Sequence, residues 1–184
     1  MKRALKPVQV WGIRIRLQVQ QRMRDLALFD LALNSKLRGC DLVASKVADL
    51  TSGNRVRSRA MILQRKTGRP VQFEITEQTR RSIAAWIQEK GLTADDWLFP
   101  SRSKKGAHLS TRQYARLVDR WVSLLGLDAA AYGTHSMRRT KVSLLYKKAG
   151  NLRACQLLLG HRSWRAQLDT WGWRSTMLWS FRRR

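Results

Sequence analysis

The chain has 184 residues, of which 43% are hydrophobic, and carries a formal net charge of +25 at pH 7. This length fits one domain with a hydrophobic core. The charge points to a polyanionic partner, with nucleic acid as the leading candidate and a ribosomal or membrane-surface protein as the alternative. No run approaches the roughly 18 apolar residues of a membrane span, and no apolar segment of a signal peptide follows the basic start. We therefore expect no membrane partner and a reducing, cytoplasmic location.

The first half of the chain is predicted to form three helices and a hairpin. Apolar residues at helical spacing predict helices over 8–20, 22–34 and 37–45. Short strand patterns follow at 55–63 and 71–75. Gly68 and Pro70 lie between the two strand patterns and predict a turn, and hence a β-hairpin.

The second half is predicted to be helical. Thr76 is a helix cap, and the acidic Glu77 falls in the first turn after it. A buried extended piece at 98–100 and a basic, flexible loop at 101–109 separate this helix from the next. The predicted helices cover 77–90, Ser110 to about Leu125, 135–149 and 151–159. The fold class is therefore α+β, mostly α-helical with a small antiparallel β-sheet.

The sequence offers no cofactor or metal site. Cys40 and Cys155 lie within apolar helical patterns without metal-ligand spacing, so we expect buried free thiols. Carboxylate clusters and Gly-rich phosphate loops are absent from the sequence. We therefore expect no metal, no cofactor and no small-molecule substrate.

Two histidines and an arginine in the second half could handle phosphate. His135 and Arg138 are three residues apart on one face of a predicted helix, and His161 follows Gly160 near the next one. A guanidinium fork binds two oxygens, and an imidazole donates or accepts a proton. Taken singly, His135 could be a helix-capping residue and His161 a residue at a helix end.

Two further basic residues complete the set. Arg38 lies near the start of a predicted helix, and Lys66 lies at the predicted hairpin turn. Each alone is typical of a solvated charge. The order and context of all five residues are more specific than any one of them.

That order and context resemble the catalytic domain of the tyrosine recombinases, also called the phage integrase family. The matching segments are 37–39 with 41–42, 66–68, 135–140 and 158–161. Segments 110–115 and 150–153 are also similar to short, stand-alone integrase-like proteins. The resemblance extends from about residue 8 to residue 161, and it implies a tyrosine-recombinase catalytic domain over 1–161.

The resemblance implies a set of catalytic roles. Arg38 and Arg138 would bind the non-bridging oxygens of a scissile DNA phosphate and stabilise its pentacovalent transition state. His135 and His161 would hydrogen-bond that phosphate and assist proton transfer. Lys66 would protonate the departing 5′-oxygen, and a tyrosine would attack to form a 3′-phosphotyrosyl link. The implied partner is double-stranded DNA, bound by a homotetramer in a bacterial-type cytoplasm at the nucleoid.

The nucleophilic tyrosine is missing from its expected position. In this family it follows the second histidine, and the corresponding position here is near Thr170. The three tyrosines of the chain all precede that histidine, and their local patterns favour packing; they are Tyr114, Tyr132 and Tyr146. A threonine hydroxyl is a much weaker acid than a phenol and a poorer nucleophile. We therefore expect DNA cleavage to be defective and leave open whether the chain is an enzyme.

The tail over 162–184 has an unusual composition. It holds four of the eight tryptophans and a single acidic residue, and it ends in three arginines. No amphipathic period is evident, so we expect a frayed or loosely packed segment that binds nucleic acid non-specifically.

A one-base frameshift would account for this tail. Permitted codons for residues 164–179, read one base earlier after a serine codon ending in C, encode Leu-Glu-Ser-Thr-Val-Arg-Tyr-Leu-Gly-Val-Glu-Val-Asp-Asp-Ala-Leu. This peptide is amphipathic, acidic and similar to the tyrosine segment of the family. Its tyrosine codon spans Asp169 and Thr170. Sequencing of the coding DNA tests the hypothesis.

Three functions remain open from the sequence. The first is a site-specific recombinase or integrase that retains its phosphate site but has lost cleavage. The second is a non-catalytic DNA-binding protein that occupies recombination sites, and the third is a basic RNA-binding protein. Convergence of the five candidate residues around one phosphate-sized pocket would favour the first two. The target DNA sequence and the choice between integration and excision cannot be deduced from the sequence.

Overall fold

Helices make up most of the structure. The computed structural model describes residues 2–102 and 106–149, in which one unit covers 2–141 and a second begins at Val142. Among these residues the helices are α1 (Pro7–Val19), α2 (Met23–Ser35), α3 (Gly39–Val43), α4 (Val47–Leu50), α5 (Glu77–Lys90), α6 (Thr111–Ser123) and α7 (Thr134–Ala149), with a 3₁₀ turn at Ala129–Ala131. None of the described helices is long and apolar enough to cross a bilayer.

The helix predictions are most accurate where local signals are strong. The predicted helices over 8–20, 22–34 and 77–90 correspond to α1, α2 and α5. Thr76 caps α5 as predicted, and its hydroxyl accepts a hydrogen bond from the Thr79 amide. The helix predicted over 37–45 is shorter than expected, because Lys36 adopts a left-handed conformation and Arg38 is still extended when α3 begins. The helix predicted over 151–159 lies outside the described residues.

Two small antiparallel sheets replace the single predicted one. The strands are β1 (Thr51–Ser52), β2 (Arg55–Val56), β3 (Arg59–Leu63) and β4 (Pro70–Glu74). The strand predicted over 55–63 is interrupted after Val56, because β2 pairs with β1 across a turn at Gly53, whereas β3 pairs with β4. The β3–β4 pair is the predicted hairpin, and its register runs from Arg59 opposite Glu74 to Leu63 opposite Pro70.

The core is built around α2. Its buried side chains face α5, and Phe29 meets the fully buried Trp121 of α6 edge-to-face, with 5.4 Å between the ring centroids. The extended piece predicted at 98–100 is buried at Leu98 and Phe99. The indole of Trp86 donates a hydrogen bond to the Leu98 carbonyl at 2.8 Å and ties this piece to α5.

The loop predicted to be flexible at 101–109 is hydrogen-bonded at both of its described ends. The Ser101 amide donates to the Ala107 carbonyl at 2.8 Å, and the Leu109 amide donates to the Phe99 carbonyl at 2.7 Å. These backbone bonds pair the two ends of the segment, so its described part is a hairpin-like turn that leads directly into α6.

The N-terminus of α6 depends on one capping side chain. The Ser110 hydroxyl accepts a hydrogen bond from the Gln113 amide at 3.1 Å. We expect Ser110→Ala to lower the free energy of unfolding by about 1 kcal/mol, because the amide loses its partner. Urea denaturation measures this change. Thr111→Ala is the control, since Thr111 is exposed and does not cap the helix, and an equal loss in that variant would contradict the capping role.

Candidate active site

Arg38 is held at the entry to α3. It is the residue before the first turn of α3 and has extended backbone angles, and its side chain is partly buried. Its guanidinium donates a hydrogen bond to Oε1 of the buried Gln64 at 2.5 Å. Arg38 is therefore tied to the residue at which the β3–β4 turn begins.

The β3–β4 turn is closed by its own hydrogen bonds and by one from α3. The Gly68 amide donates to the Gln64 carbonyl at 2.8 Å, and Gly68 has the positive φ of 63° that favours glycine. Oδ1 of the buried Asp41 accepts a hydrogen bond from the Arg65 amide at 3.0 Å. The exposed Lys66 follows directly, and it makes no hydrogen bond or ion pair with the residues that the structure describes. The turn thus holds the Lys66 backbone against α3 and leaves its ammonium group exposed.

The first turns of α7 are anchored on their buried side. The Thr140 hydroxyl accepts a hydrogen bond from the Leu5 amide at 2.9 Å and donates one to the Ser136 carbonyl. Ser136 and Met137 are buried, whereas His135 is exposed and Arg138 is partly buried. A Cβ atom at Gly39 would lie 3.9 Å from the Thr134 Cβ, so α7 begins close to α3.

Arg38 and Arg138 act on each other electrostatically, and Asp41 acts on Arg138. Burial lowers the pKa of the Arg138 guanidinium, and the like charge of Arg38 lowers it further. The carboxylate of Asp41 raises it in turn. Two cations gathered beside one carboxylate leave a local excess of positive charge, which favours an anion.

The structure therefore brings together three of the five candidate residues. Arg38, Arg138 and the turn that carries Lys66 are grouped around Asp41. His135 is one turn before Arg138 on α7 and faces solvent. His161 lies outside the described residues, as does Thr170 at the expected position of the nucleophile.

The two tyrosines whose side chains the structure describes are packed in the interior. Tyr114 is 1% exposed and Tyr132 is 7% exposed. Burial raises the pKa of the Tyr114 phenol, which disfavours the phenolate. Tyr146 lies on α7, where its side chain is not described.

Cys40 is partly exposed rather than buried as predicted, because it falls in the first turn of the short α3.

Two residues that sequence reasoning did not nominate contribute to this site; they are Asp41 and Gln64. Asp41 stood within a matching segment, and its position three residues after Arg38 was the available signal. For Gln64, the only signal in the sequence was its position just before the turn that carries Lys66.

The described side chains of the site are suited to binding an anion. Arginine and lysine donors suit phosphate oxygens, and an extended polyanion suits a protein with a net charge of +25. Within the described ranges, no three His, Cys, Asp or Glu side chains come close enough together to hold a metal ion.

Comparison with known proteins gives a consistent result. Residues 13–166 match the profile described as the phage integrase family. The chain is 43% identical over 82 residues to tyrosine recombinase XerD of Agrobacterium fabrum, which covers 44% of this chain and 24% of that protein. It is 29% identical over 146 residues to XerD of Rhizobium meliloti, which covers 78% of this chain and 45% of that protein. The chain thus spans less than half the length of either relative.

Solved structures show the same fold. The XerA recombinase superposes with a TM-score of 0.77 at 16% identity, covering 98% of this chain and 64% of that one. The XerH site-specific recombinase in a pre-cleavage complex with its difH substrate superposes with a TM-score of 0.74 at 20% identity, covering 91% of this chain and 49% of that one. The family profile covers most of the sequence, and the fold is that of tyrosine recombinase catalytic domains. The chain therefore belongs to the phage integrase family.

Proposed function

We propose that this chain is the catalytic domain of a site-specific DNA recombinase, and that with its present tail it binds DNA without cleaving it. The observation that carries the proposal is the grouping of Arg38 and Arg138 beside Asp41, next to the turn that bears Lys66. Two guanidinium groups and an exposed ammonium are donors suited to a phosphodiester under attack.

The proposed reaction is a phosphoryl transfer between a tyrosine and DNA. In a chain that carries the tyrosine, the tyrosine oxygen forms a bond to phosphorus as the bond to the 5′-oxygen breaks. The Lys66 ammonium gives its proton to the 5′-oxygen, and the phenol proton passes to an imidazole of the site. Arg38 and Arg138 bind the non-bridging oxygens, where negative charge accumulates. By family resemblance, His135 and His161 hydrogen-bond the same phosphate and assist the proton transfer. Rejoining is the reverse of these steps with a different 5′-hydroxyl.

We assign this domain to residues 1–161 and regard 162–184 as an altered tail. The family match ends at residue 166, before Thr170, where the tyrosine is expected. A one-base shift of the reading frame would place a tyrosine at that position. The end of the family match and the existence of permitted codons for such a shift both support a frameshift soon after His161 as the cause of the missing nucleophile.

The proposed partner is double-stranded DNA. The XerH recombinase was solved with its difH substrate before and after cleavage, and the Tn1549 transposon integrase was solved with transposon right-end DNA. These proteins share the fold of this chain, and its net charge of +25 is suited to the same polyanion. We extend the proposal to a homotetramer on DNA, located at the nucleoid in the cytoplasm.

A second candidate is a DNA-binding protein that occupies recombination sites without catalysis. The burial of Tyr114 and Tyr132 favours it, because neither phenol can reach a phosphate from its packed position. This second candidate would bind DNA at the same site as a recombinase and would differ from it only in not cleaving the DNA. The RNA-binding alternative is the weakest of the three, since it gives no reason for the grouped arginines.

DNA binding is the first test. We expect the protein to bind a mixed-sequence duplex with an affinity that falls steeply as salt increases, and Arg38→Ala to reduce the slope of log K against log salt by about 1. Fluorescence anisotropy over a salt series measures both. Arg81→Ala is the matched control, because Arg81 is exposed on α5 and pairs with Glu77. Salt-independent binding would overturn the proposal, and equal slopes for the two variants would remove Arg38 from the DNA site.

A further inference from the structure

Lys36 occupies a backbone position that favours glycine. It follows α2 with φ of 58° and ψ of 15°, in the left-handed region, and ends that helix. Glycine adopts this conformation without steric cost and is the usual residue at such helix ends. A lysine here costs stability through its backbone, so its side chain is expected to contribute something that glycine cannot.

The side chain of Lys36 is also buried among like charges. Lys36 is 6% exposed, which is unusual for lysine. Burial lowers its pKa to about 8, and the positive charges of Lys141 and Arg138 act in the same direction. Glu74 opposes them. Lys36 thus adds positive charge to a site that already holds a surplus.

Lys141 fixes the segment that presents Lys36. Its ammonium donates hydrogen bonds to the Asn34 carbonyl at 2.8 Å and to Asn34 Oδ1 at 3.2 Å. The Asn34 amide group donates in turn to the Thr79 hydroxyl at 2.5 Å. The end of α2 is therefore held by α7 and α5, and Lys36 is kept within electrostatic range of Arg138.

We propose that Lys36 is an additional phosphate-binding residue of this site, acting with Arg38 and Arg138 on the same DNA phosphate. This inference rests on the proposed function. The described acids that act on these cations are Asp41 and Glu74, and Glu74 is largely exposed. A phosphodiester adds negative charge next to these cations, so the free-energy cost of burying the charged Lys36 side chain is lower when DNA is bound. Lys141 is a positioning residue in this arrangement.

The arrangement makes DNA binding depend on pH. Above about pH 8 the Lys36 ammonium of the free protein loses its proton, and a bound phosphate restores the proton by raising the pKa toward the ordinary value of 10.5. Binding then takes up as much as one proton, so affinity falls as pH rises through this window. The charged groups that face Lys36 from neighbouring elements are Arg138 and Lys141 on α7 and Glu74 on β4.

The test compares Lys36→Gly, Lys36→Arg and Lys90→Ala in anisotropy titrations with a mixed-sequence DNA duplex between pH 7 and pH 10. Lys36→Gly suits the backbone and should bind roughly tenfold more weakly at pH 7, with a smaller salt slope and a weaker pH dependence. Lys36→Arg should keep the affinity and also lose that pH dependence, because arginine remains charged.

Lys90 is an exposed lysine at the end of α5, and Lys90→Ala controls for the loss of one charge. Thermal melting of each variant checks that it is folded, and Lys36→Asn, which also tolerates the left-handed region, replaces any variant that is not.

Two results would overturn the inference. One is that the neutral Lys36 variants bind the duplex with the same affinity, salt slope and pH profile as the wild type. The other is an equal loss in the Lys90 variant. Either outcome, with duplex binding by the wild type intact, rejects Lys36 as a phosphate ligand and leaves the proposed function standing. Absence of duplex binding by the wild type itself rejects the proposed function.

Discussion

A chain carrying the frame-restored peptide in place of residues 164–179 should form a covalent adduct with a suicide DNA substrate, and the present chain should form none. The difference is all or none, because a phosphotyrosyl link requires a phenol at the phosphate. The recognition sequence is first selected from a randomised duplex pool by the protein itself. Denaturing electrophoresis then detects the adduct as a band in which labelled DNA migrates with the protein.

This result is expected because binding the DNA phosphate and forming a covalent bond to it require different groups. Arg38, Arg138 and the Lys66 turn can bind and polarise a phosphate, but none of them can replace the nucleophile. Tyr114 and Tyr132, whose side chains the structure describes, are buried in the core. Restoring a phenol after His161 supplies the nucleophile that the described side chains of the site cannot provide.

Two controls make the experiment specific. The same peptide with Phe in place of its Tyr should bind DNA and form no adduct. Arg138→Ala in the restored chain should slow adduct formation by at least about a hundredfold, because the transition state loses a charged donor. Adduct formation by the present chain would show that another nucleophile operates. Failure of the restored chain, with DNA binding intact, would favour the non-catalytic DNA-binding protein.

The elements that the sequence predicted best are those whose ends are set locally. The start of α5 depends on the Thr76 side chain and its end on Gly91, which has a positive φ, and both signals are visible in the sequence. The interruption of the strand predicted over 55–63 depends instead on pairing with Thr51 and Ser52, which no local pattern shows. Length and periodicity could not reveal that pairing.

The site residues also differ in how far the sequence could identify them. The order of the basic residues and their resemblance to a family were enough to nominate Arg38, Lys66, His135, Arg138 and His161. Asp41 could not be assigned a role in this way, because its part in the site depends on a backbone amide 24 residues away and on a guanidinium of α7. Residues that organise a site through tertiary contacts become evident only in three dimensions.

Asp41→Ala should have the largest effect of any single substitution in the described site. Asp41 is 2% exposed, accepts the Arg65 amide through Oδ1 and provides the negative charge that acts on Arg138. Its removal leaves the Arg65 amide without this acceptor and takes a negative charge away from Arg138. We expect the free energy of unfolding to fall by about 3 kcal/mol, as measured by urea denaturation.

Asp41→Asn separates the two roles. The amide oxygen can still accept the Arg65 hydrogen bond, so the turn should remain in place and the loss of stability should be smaller. The negative charge is gone, which strengthens the positive field of the site and should preserve or raise the affinity for a mixed-sequence duplex. In the frame-restored chain, adduct formation should nevertheless fall at least about tenfold, because the two arginines then repel each other without compensation and lose their fixed geometry.

This combination of retained binding and reduced cleavage distinguishes an organising carboxylate from a merely structural one. A structural role predicts that binding and cleavage fall together, in proportion to the unfolded fraction. Asp95→Asn is the control for the removal of one negative charge, because Asp95 is exposed and remote in sequence from the site residues. If Asp95→Asn raises duplex affinity as much as Asp41→Asn does, the gain in affinity reflects net charge alone. If Asp95→Asn also leaves adduct formation unchanged, the loss of cleavage in Asp41→Asn is caused by the position of Asp41 beside Arg138. Equal cleavage by both variants would mean that the arginine pair keeps its geometry without this carboxylate.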